Sequence, residues 1–149
     1  MSTTDKIKII GTNRKANFQY ELLDRLEAGM VLLGTEVKSL RDSKVNLQES
    51  YARFIGNELW LLNCHISEYK YGNLNNHEPL RERKLLLSKR ELKKLKSKLQ
   101  EKGLTLVPVK IYFKTSRIKL ELALAKGKKL YDKRESIKKR DTERKLKRI

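Results

Sequence analysis

The last 24 residues of the chain limit what the rest can fold into, because they are too charged to join a hydrophobic core. Residues 126–149 carry twelve Lys or Arg against four Asp or Glu, a net charge of +8. Their few apolar residues form no single helical stripe, since Leu130 and Ile137 share one side while Leu146 points nearly the opposite way. A segment that cannot bury apolar surface cannot offset its ordering entropy. We expect a disordered basic tail that becomes helical on a polyanion, appended to a folded domain of residues 1–125; a merely solubilising tail is the alternative.

The charge of the whole chain points to a phosphate-rich partner. The 149 residues carry a net charge of +18, and each Lys or Arg that neutralises a phosphate releases counterions. No uncharged apolar run is long enough to span a membrane, and the N-terminus lacks the apolar region of a secretory signal. The single cysteine, Cys64, excludes an internal disulfide and fits a reducing compartment. We therefore expect a cytoplasmic protein that does not bind membranes.

One hairpin is readable from the sequence. Tyr51–Ile55 and Glu58–Cys64 are apolar runs that flank Gly56-Asn57, a dipeptide that tolerates the positive φ of a tight turn. Alternation in the second run predicts that Trp60, Leu62 and Cys64 face one side. A polar stretch from Ser67 to Pro79 follows and predicts a surface loop.

A second strand pair is predicted near the end of the folded domain. Thr105–Phe113 contains Pro108, which cannot donate to a strand ladder, so an edge position or a bulge is expected there. After a turn, apolar residues from Ile118 to Leu124 alternate with Lys119, Glu121 and Ala123, which is typical of a half-buried strand.

The segment Phe18–Ala28 fits both a strand and a helix, so its pattern alone does not decide between them. Gly29 is expected to interrupt it, and Met30–Leu33 then fits a short buried strand. Thr35 is expected to cap a helix that ends near Asp42, with Glu36 in its first turn.

The strongest local signal predicts a helix after Leu87. Ser88 and Glu91 make a capping box, and Leu87 with Leu92 supplies a hydrophobic staple. The expected buried stripe consists of Leu92, Leu95 and Leu99, and the lysines on the other faces are interpreted as a solvated surface. A helix between hairpins is compatible with a partly open Greek-key barrel of the oligonucleotide-binding type.

No catalytic, metal or cofactor site is predicted. His65, His77 and Cys64 do not supply the four ligands of a structural zinc site. The acidic residues are scattered singly, so a two-metal nuclease centre has no ligand set. Tyr112 and Phe113 are able to stack on bases, although a core role for at least one of them is favoured.

Short motifs in a fixed order resemble those of the small protein B family. GTEVKSLR at Gly34–Arg41 is similar to the central motif of the family. The resemblance runs from about Ile7 to the end of the chain, through Asn13–Ala16, Glu27–Gly29, Arg83–Leu87, Arg90–Leu92, Ala125–Lys129 and Asp132–Arg134. Each piece alone is weak, whereas the ordered combination is specific.

That family is the bacterial partner of transfer-messenger RNA (tmRNA), so the resemblance implies both a fold and a function. The implied fold is mainly β: a closed six-stranded antiparallel barrel, partly similar to the oligonucleotide-binding fold, with flanking helices. It favours the strand interpretation of Phe18–Ala28. The implied function is that of an adaptor, not an enzyme, which binds the tRNA-like domain of alanyl-tmRNA and delivers it, with elongation factor Tu, to stalled ribosomes. The domain would stand at the small-subunit decoding site and the tail in the empty messenger channel.

The resemblance also implies site residues. It assigns Asn13, Glu27 and Leu86 to tmRNA binding. On physical grounds we add phosphate contacts at Arg14, Lys15, Lys38, Arg41 and Lys84. A carboxylate cannot contact phosphate, so Glu27 must accept from base or ribose donors or orient a basic neighbour. Without the resemblance, Glu27 would be an ordinary exposed strand residue and Leu86 a core residue.

The tail contributes a second group of predicted site residues, which we assign to the ribosome. Lys126, Gly127, Lys128 and Lys129 match the junction between barrel and tail in the family, and Asp132, Lys133 and Arg134 match its tail motif. Tyr131 stands where histidine also occurs in the family, and its ring is still able to stack. The alternative function is that of a basic structural ribosomal protein that binds rRNA, and an RNA-processing enzyme is a third hypothesis. We expect a monomer.

Overall fold

The structure, a computed structural model, describes residues 6–72, 75–101 and 103–127, and within them it is mainly β. The strands are β1 (Ile7–Thr12), β2 (Tyr20–Met30), β3 (Val45–Asn46), β4 (Tyr51–Ile55), β5 (Glu58–Leu62), β6 (His65–Ile66), β7 (Arg83–Leu86), β8 (Leu104–Lys114) and β9 (Arg117–Gly127). The helices are α1 (Arg14–Gln19), α2 (Gly34–Arg41) and α3 (Lys89–Leu99). The expectation of a mainly β fold with helices is confirmed.

The strand pairing forms a ring. Seven strands make one antiparallel sheet in the order β1-β8-β4-β5-β7-β2-β9, and β3 pairs separately with β6. Because β8 also pairs with β9, from Leu104 opposite Lys126 to Lys114 opposite Arg117, the pairing returns to β8. β1 lies along β8 outside this ring. The main core cluster includes Leu59, Leu61, Leu106, Ile111, Leu120 and Leu122, all fully buried.

The ambiguous segment contains both a helix and a strand. Phe18 belongs to α1, which the sequence did not predict, and β2 begins at Tyr20. Gly29 does not interrupt this strand, because it pairs on one side with Lys119 of β9 and on the other with Leu86 of β7. The strand interpretation favoured by the resemblance is therefore correct from Tyr20 onward.

The buried strand expected at Met30–Leu33 is wrong. β2 ends at Met30, and Val31 and Leu33 are 46% exposed. The expected cap at Thr35 is also wrong, because the capping position of α2 is Leu33. The Leu33 N–H donates to the Glu36 carboxylate at 2.8 Å, so the helix begins two residues earlier than Thr35 would allow.

The hairpin of β4 and β5 confirms the predicted turn, but its second strand ends at Leu62 and not at Cys64. Gly56 has φ +65°, as the turn requires. Leu59 and Leu61 are fully buried and Leu62 nearly so, whereas Trp60 is only half-buried. Cys64 is nevertheless in the core, and burial raises the pKa of its thiol to about 11.

Helix α3 begins as predicted. The Ser88 hydroxyl accepts from the Glu91 N–H at 3.2 Å, and the Glu91 carboxylate accepts from the Ser88 N–H at 3.4 Å. Leu95 is buried, and Leu92 and Leu99 pack against the core beside it. This stripe fixes the helix on the ring and leaves its lysines outside.

The last two strands confirm the bulge and correct the burial pattern. The register of β8 with β9 shifts between Pro108 and Lys110, which is the bulge that the proline predicts. β9 is buried on one face near Ile118 but on both faces further along, where Ala123 and Ala125 are fully buried. Ala125 packs in a second cluster with Ala16 of α1, so the unpredicted helix covers this end of the strand.

Candidate nucleic-acid interface

Glu27 lies on the outer surface of β2 and is held by two partners from β8. The Tyr112 hydroxyl donates a short hydrogen bond to one carboxylate oxygen, and the Lys114 ammonium donates to the other at 3.2 Å. The Tyr112 hydrogen bond is the main reason that the pKa of Glu27 is lowered, and Lys114 acts in the same direction against the effect of burial. About a third of the side chain stays exposed, so this fixed anion can accept further donors from outside.

Tyr112 is committed to this contact rather than to base stacking. Its side chain is buried, and burial followed by the Glu27 hydrogen bond raises the pKa of its hydroxyl. The Lys110 ammonium lies 5.7 Å from its ring centroid. Phe113 packs against the main core cluster. Both aromatic residues thus have core roles, the alternative that the sequence favoured for at least one.

Leu86 ends β7 beside Gly29 and is 49% exposed, whereas its neighbour Leu85 is buried. The core interpretation of Leu86 is therefore wrong. A Cβ atom at Gly29 would lie 3.4 Å from the Leu86 Cβ and 3.8 Å from the Lys119 Nζ. The absence of a side chain at Gly29 leaves the apolar surface of Leu86 open next to a cation.

Lys84 lies on the same strand as Leu86, two residues before it, and extends the exposed surface of β7. It lies opposite Trp60 of β5, and its ammonium is 3.4 Å from the Glu58 carboxylate. Since both side chains of that pair are about half exposed, the pair leaves the lysine available to a phosphate. The register therefore brings three predicted residues, Glu27, Lys84 and Leu86, onto adjacent strands.

Asn13 is placed differently from these residues, because its side chain is buried. Its amide donates to the Leu47 carbonyl at 3.2 Å and to the Pro108 carbonyl at 2.9 Å. Its Oδ1 atom is buried without a partner among the residues that the structure describes. Asn13 thus ties the start of α1 to β8, and it holds Arg14 and Lys15 at the surface.

Arg14 and Lys15 are exposed on the first turn of α1. Lys15 is paired with Glu49 at 3.2 Å, and the two side chains are 45% and 78% exposed. Such an exposed pair contributes little to stability and is readily exchanged for a phosphate contact.

Lys38 and Arg41 lie on α2, near its C-terminal end. Arg41 is exposed, and the Lys38 ammonium is 5.5 Å from the Tyr69 ring centroid. The structure does not bring these two residues into contact with Glu27 or Leu86 on the outer face of β2 and β7. They form a separate basic surface.

A buried ion cluster fixes α2. The Glu36 carboxylate accepts from Arg83 Nε at 2.5 Å and from Arg81 at 2.6 Å, and the side chains of Glu36 and Arg83 are fully buried. Burial alone would raise the pKa of Glu36, but the hydrogen bonds from Arg81 and Leu33 and the charge of Arg83 outweigh it, so the pKa lies below its usual value. Neither this cluster nor the Tyr112–Glu27 contact was predictable from the sequence, because no local pattern connects residues so far apart.

The tail residues are only partly described. Lys126 and Gly127 are the last residues of β9, where they pair with Glu21 and Tyr20 of β2, so the strand extends two residues beyond Ala125. The other predicted tail sites, Lys128, Lys129, Tyr131, Asp132, Lys133 and Arg134, lie outside the described residues.

The described ranges contain no group of three or more His, Cys, Asp or Glu side chains arranged to hold a metal ion. None of their helices has the length and apolar character needed to cross a membrane.

Comparison with known proteins identifies the family. The family model described as SmpB protein matches residues 10–149. The SsrA-binding protein of Syntrophobacter fumaroxidans is 54% identical over 148 residues, which cover 99% of this chain and 92% of that protein. The SsrA-binding protein of Carboxydothermus hydrogenoformans is 58% identical over 139 residues, 93% of each chain.

A solved structure described as "tmRNA-SmpB: a journey to the center of the bacterial ribosome" has a chain similar to this one. The TM-score is 0.70 and the sequence identity 49%, with 85% of this chain and 92% of that chain covered. Together with the family model and the relatives, this establishes that the chain belongs to the SmpB protein family.

Proposed function

We propose that this protein is a tmRNA-binding adaptor of trans-translation, which binds the tRNA-like domain of tmRNA and delivers it to stalled ribosomes. The observation that carries the proposal is family membership over residues 10–149, at more than 50% identity to SsrA-binding proteins. The similar chain solved with tmRNA and the bacterial ribosome supports the same two partners. The protein acts by binding, without a catalytic step, in the cytoplasm and as a monomer.

The tmRNA-binding face is the outer surface of β2 and β7, completed by side chains of β8 and β9. Leu86 offers an exposed apolar contact to a base or ribose, and Lys84 reaches a phosphate. Glu27, held ionised by Tyr112 and Lys114, accepts hydrogen bonds from base or ribose donors. The fixed Glu27 carboxylate and the neighbouring lysines can all be satisfied in only one orientation of the RNA. This face therefore provides selectivity as well as affinity.

Asn13 contributes to tmRNA binding by positioning α1. Its two amide hydrogen bonds hold the helix start on β8, and Arg14 and Lys15 then face the RNA backbone. Lys38 and Arg41 on α2 make further phosphate contacts. Phosphate contacts of this kind fix the orientation of the protein but carry no sequence information.

The ring of six paired strands forms a closed barrel, which is partly similar to the oligonucleotide-binding fold. Residues 1–125 form this RNA-binding domain, and residues 126–149 form the ribosome-binding tail. In the tail, Lys126 and Gly127 mark the junction, and Lys128, Lys129, Tyr131, Asp132, Lys133 and Arg134 enter the empty messenger channel. The net charge of +8 on this segment supports its placement among RNA phosphates. Elongation factor Tu joins the complex through alanyl-tmRNA.

The proposal is tested by direct binding with the full chain. Fluorescently labelled tRNA-like domain is titrated with protein at physiological salt, in parallel with an ordinary elongator tRNA. We expect a preference for the tRNA-like domain of about tenfold or more, because specific recognition exceeds the electrostatic background. Equal affinities, or stoichiometric co-sedimentation with every ribosome, would instead support a structural rRNA-binding role.

A further inference from the structure

Helix α3 carries a concentration of positive charge, and the structure shows no ion pair for any of its basic side chains within the described residues. Its eleven residues include six basic side chains, all exposed: Lys89, Arg90, Lys93, Lys94, Lys96 and Lys98. The one acidic residue, Glu91, is engaged with Ser88 in the capping box.

This arrangement differs from that of an ordinary solvated helix. Surface helices usually place Glu and Lys three or four residues apart, and such pairs stabilise the helix. Here like charges occupy those spacings, as with Lys89 and Lys93 or Lys94 and Lys98. Like charges at this spacing destabilise a helix, so a bound polyanion would relieve a repulsion that the free protein carries.

A groove with an apolar floor lies beside this charge. It has a volume of about 430 Å³ and lies between α3 and the hairpin of β4 and β5. Phe54 and Leu92 form the floor; both pack against the main core cluster and are half-buried, so part of each faces the groove. Asn57, Lys89, Lys93 and Lys96 line the rim. The Lys96 ammonium donates to the Asn57 side-chain carbonyl at 3.1 Å and lies 6.0 Å from the Phe54 ring centroid.

We propose that this groove is a second RNA-binding surface, which holds a single-stranded RNA segment by its phosphates and by one base. An aromatic ring offers a stacking surface for any base, an amide offers hydrogen bonds to a base edge, and the lysines offer phosphate contacts. The groove combines all three, and its charge complements RNA. An acidic peptide would use the lysines, but it has no base to stack on the Phe54 ring.

The groove is separate from the proposed tmRNA-binding face. Glu27 and Leu86 lie on the outer surface of β2 and β7, whereas the groove is built from α3 and the tip of the β4–β5 hairpin. No residue assigned to tmRNA lines it. The two sites are neighbours, because Lys84 contacts Glu58, the residue that follows Asn57.

The test is a nuclear magnetic resonance titration of the full-length, ¹⁵N-labelled protein with a uridine hexamer. Resonances are assigned to single residues, so binding at the groove is measured separately from binding at the basic tail. The reporters are the Asn57 side-chain amide and the Lys93 backbone amide. We expect saturable shifts at both, and no saturable shift at either reporter would overturn the proposal.

Two triple variants of α3 form a matched pair with equal loss of charge. The first variant, Lys89→Gln with Lys93→Gln and Lys96→Gln, removes the basic side chains of the rim. The second, Arg90→Gln with Lys94→Gln and Lys98→Gln, removes the same charge outside the groove; Lys94 and Lys98 lie beside Asp24 and Leu26 of β2. The rim variant should weaken binding at the groove by about tenfold or more, and the other by less than about threefold. Equal losses would show diffuse attraction and overturn the proposal.

Two further arms separate RNA from other polyanions. Phe54→Leu leaves the charge unchanged and should weaken hexamer binding by about fivefold or more, because stacking is lost. Thermal unfolding checks that each variant is folded. A hexaglutamate peptide should shift the reporters much less than the RNA does; an equal affinity for the peptide, or no effect of Phe54→Leu in a folded variant, would overturn the assignment to RNA.

Discussion

The Tyr112 hydroxyl donates a hydrogen bond to the Glu27 carboxylate, and the two residues are 85 positions apart in the sequence. Tyr112 is buried while Glu27 stays partly exposed. The buried tyrosine therefore orients an exposed carboxylate and lowers its pKa. Lys114 holds the second oxygen. The proposed tmRNA-binding face thus has an acceptor whose orientation and ionisation are set by two side chains of β8.

Tyr112→Phe should weaken binding of the tRNA-like domain by about threefold to tenfold, because Glu27 loses a hydrogen bond that orients it, and such a bond is worth about 0.5–1.5 kcal/mol net. The ring keeps its packing, but Glu27 loses its main pKa-lowering partner and one orientational constraint. The affinity and the pKa of the Glu27 carboxyl, followed by NMR, are the measurements. Tyr71→Phe, at a 67% exposed ring, is the control and should change neither. An unchanged Glu27 pKa in Tyr112→Phe would contradict the positioning role.

Glu36→Gln should lower the free energy of unfolding by about 3 kcal/mol, because it leaves the buried Arg83 guanidinium without a counter-charge. Urea unfolding at pH 7 measures the change. Glu49→Gln removes the exposed pair with Lys15 and should cost less than about 1 kcal/mol. Similar losses in the two variants would show that burial of the Glu36 cluster has no particular effect on stability.

Acid should destabilise the protein in a defined direction. The pKa values of Glu27 and Glu36 are both lowered in the folded state, so the unfolded chain takes up protons first as the pH falls. Stability from these groups is fully present above the ordinary value of 4.5 and is lost as the pH falls through the folded pKa values. Urea midpoints between about pH 7 and pH 3 check this. In Glu36→Gln the urea midpoint should fall less steeply with pH than in the unmodified protein. An unchanged pH dependence would contradict the assignment of acid sensitivity to Glu36.

Asn13→Ala should lower the free energy of unfolding by about 2 kcal/mol, since the Leu47 and Pro108 carbonyls are left buried without a donor. If Asn13 acts by positioning α1, the same change should reduce tmRNA affinity through Arg14 and Lys15. The double variant Arg14→Gln, Lys15→Gln distinguishes a positioning role of Asn13 from direct contact between Asn13 and the RNA. Adding Asn13→Ala to it should then have little further effect, whereas a full additive loss would indicate direct contact with RNA.

The sequence predicted those elements whose signals are local. The capping box of Ser88 and Glu91, the Gly56-Asn57 turn and the Pro108 bulge each depend on residues within a few positions of one another. α1 escaped prediction because its six residues show no long periodicity. The sequence alone predicts an interruption at Gly29, because the two strands that pair with it are remote in sequence.

The candidate site was predictable mainly through the family resemblance. Residue patterns alone would have placed Leu86 in the core and left Glu27 as an ordinary exposed residue. What the motifs do not contain is the geometry: the partners of Glu27 come from β8, and the open side of Leu86 is created by the glycine across the β2–β7 pair. These relationships are fixed by strand register, which no single segment encodes.

The proposed tmRNA-binding face is tested most directly by photocrosslinking from Leu86 to the tRNA-like domain of tmRNA. A photoreactive benzoylphenylalanine is placed at Leu86 in the full-length chain, and the same residue is placed at Leu80 as the control, since Leu80 is exposed to a similar extent in a turn outside the strands. After irradiation with the tRNA-like domain, a crosslink is expected from position 86 and not from position 80. A crosslink of equal yield from both positions, or none from position 86 while binding persists, would contradict the proposed face.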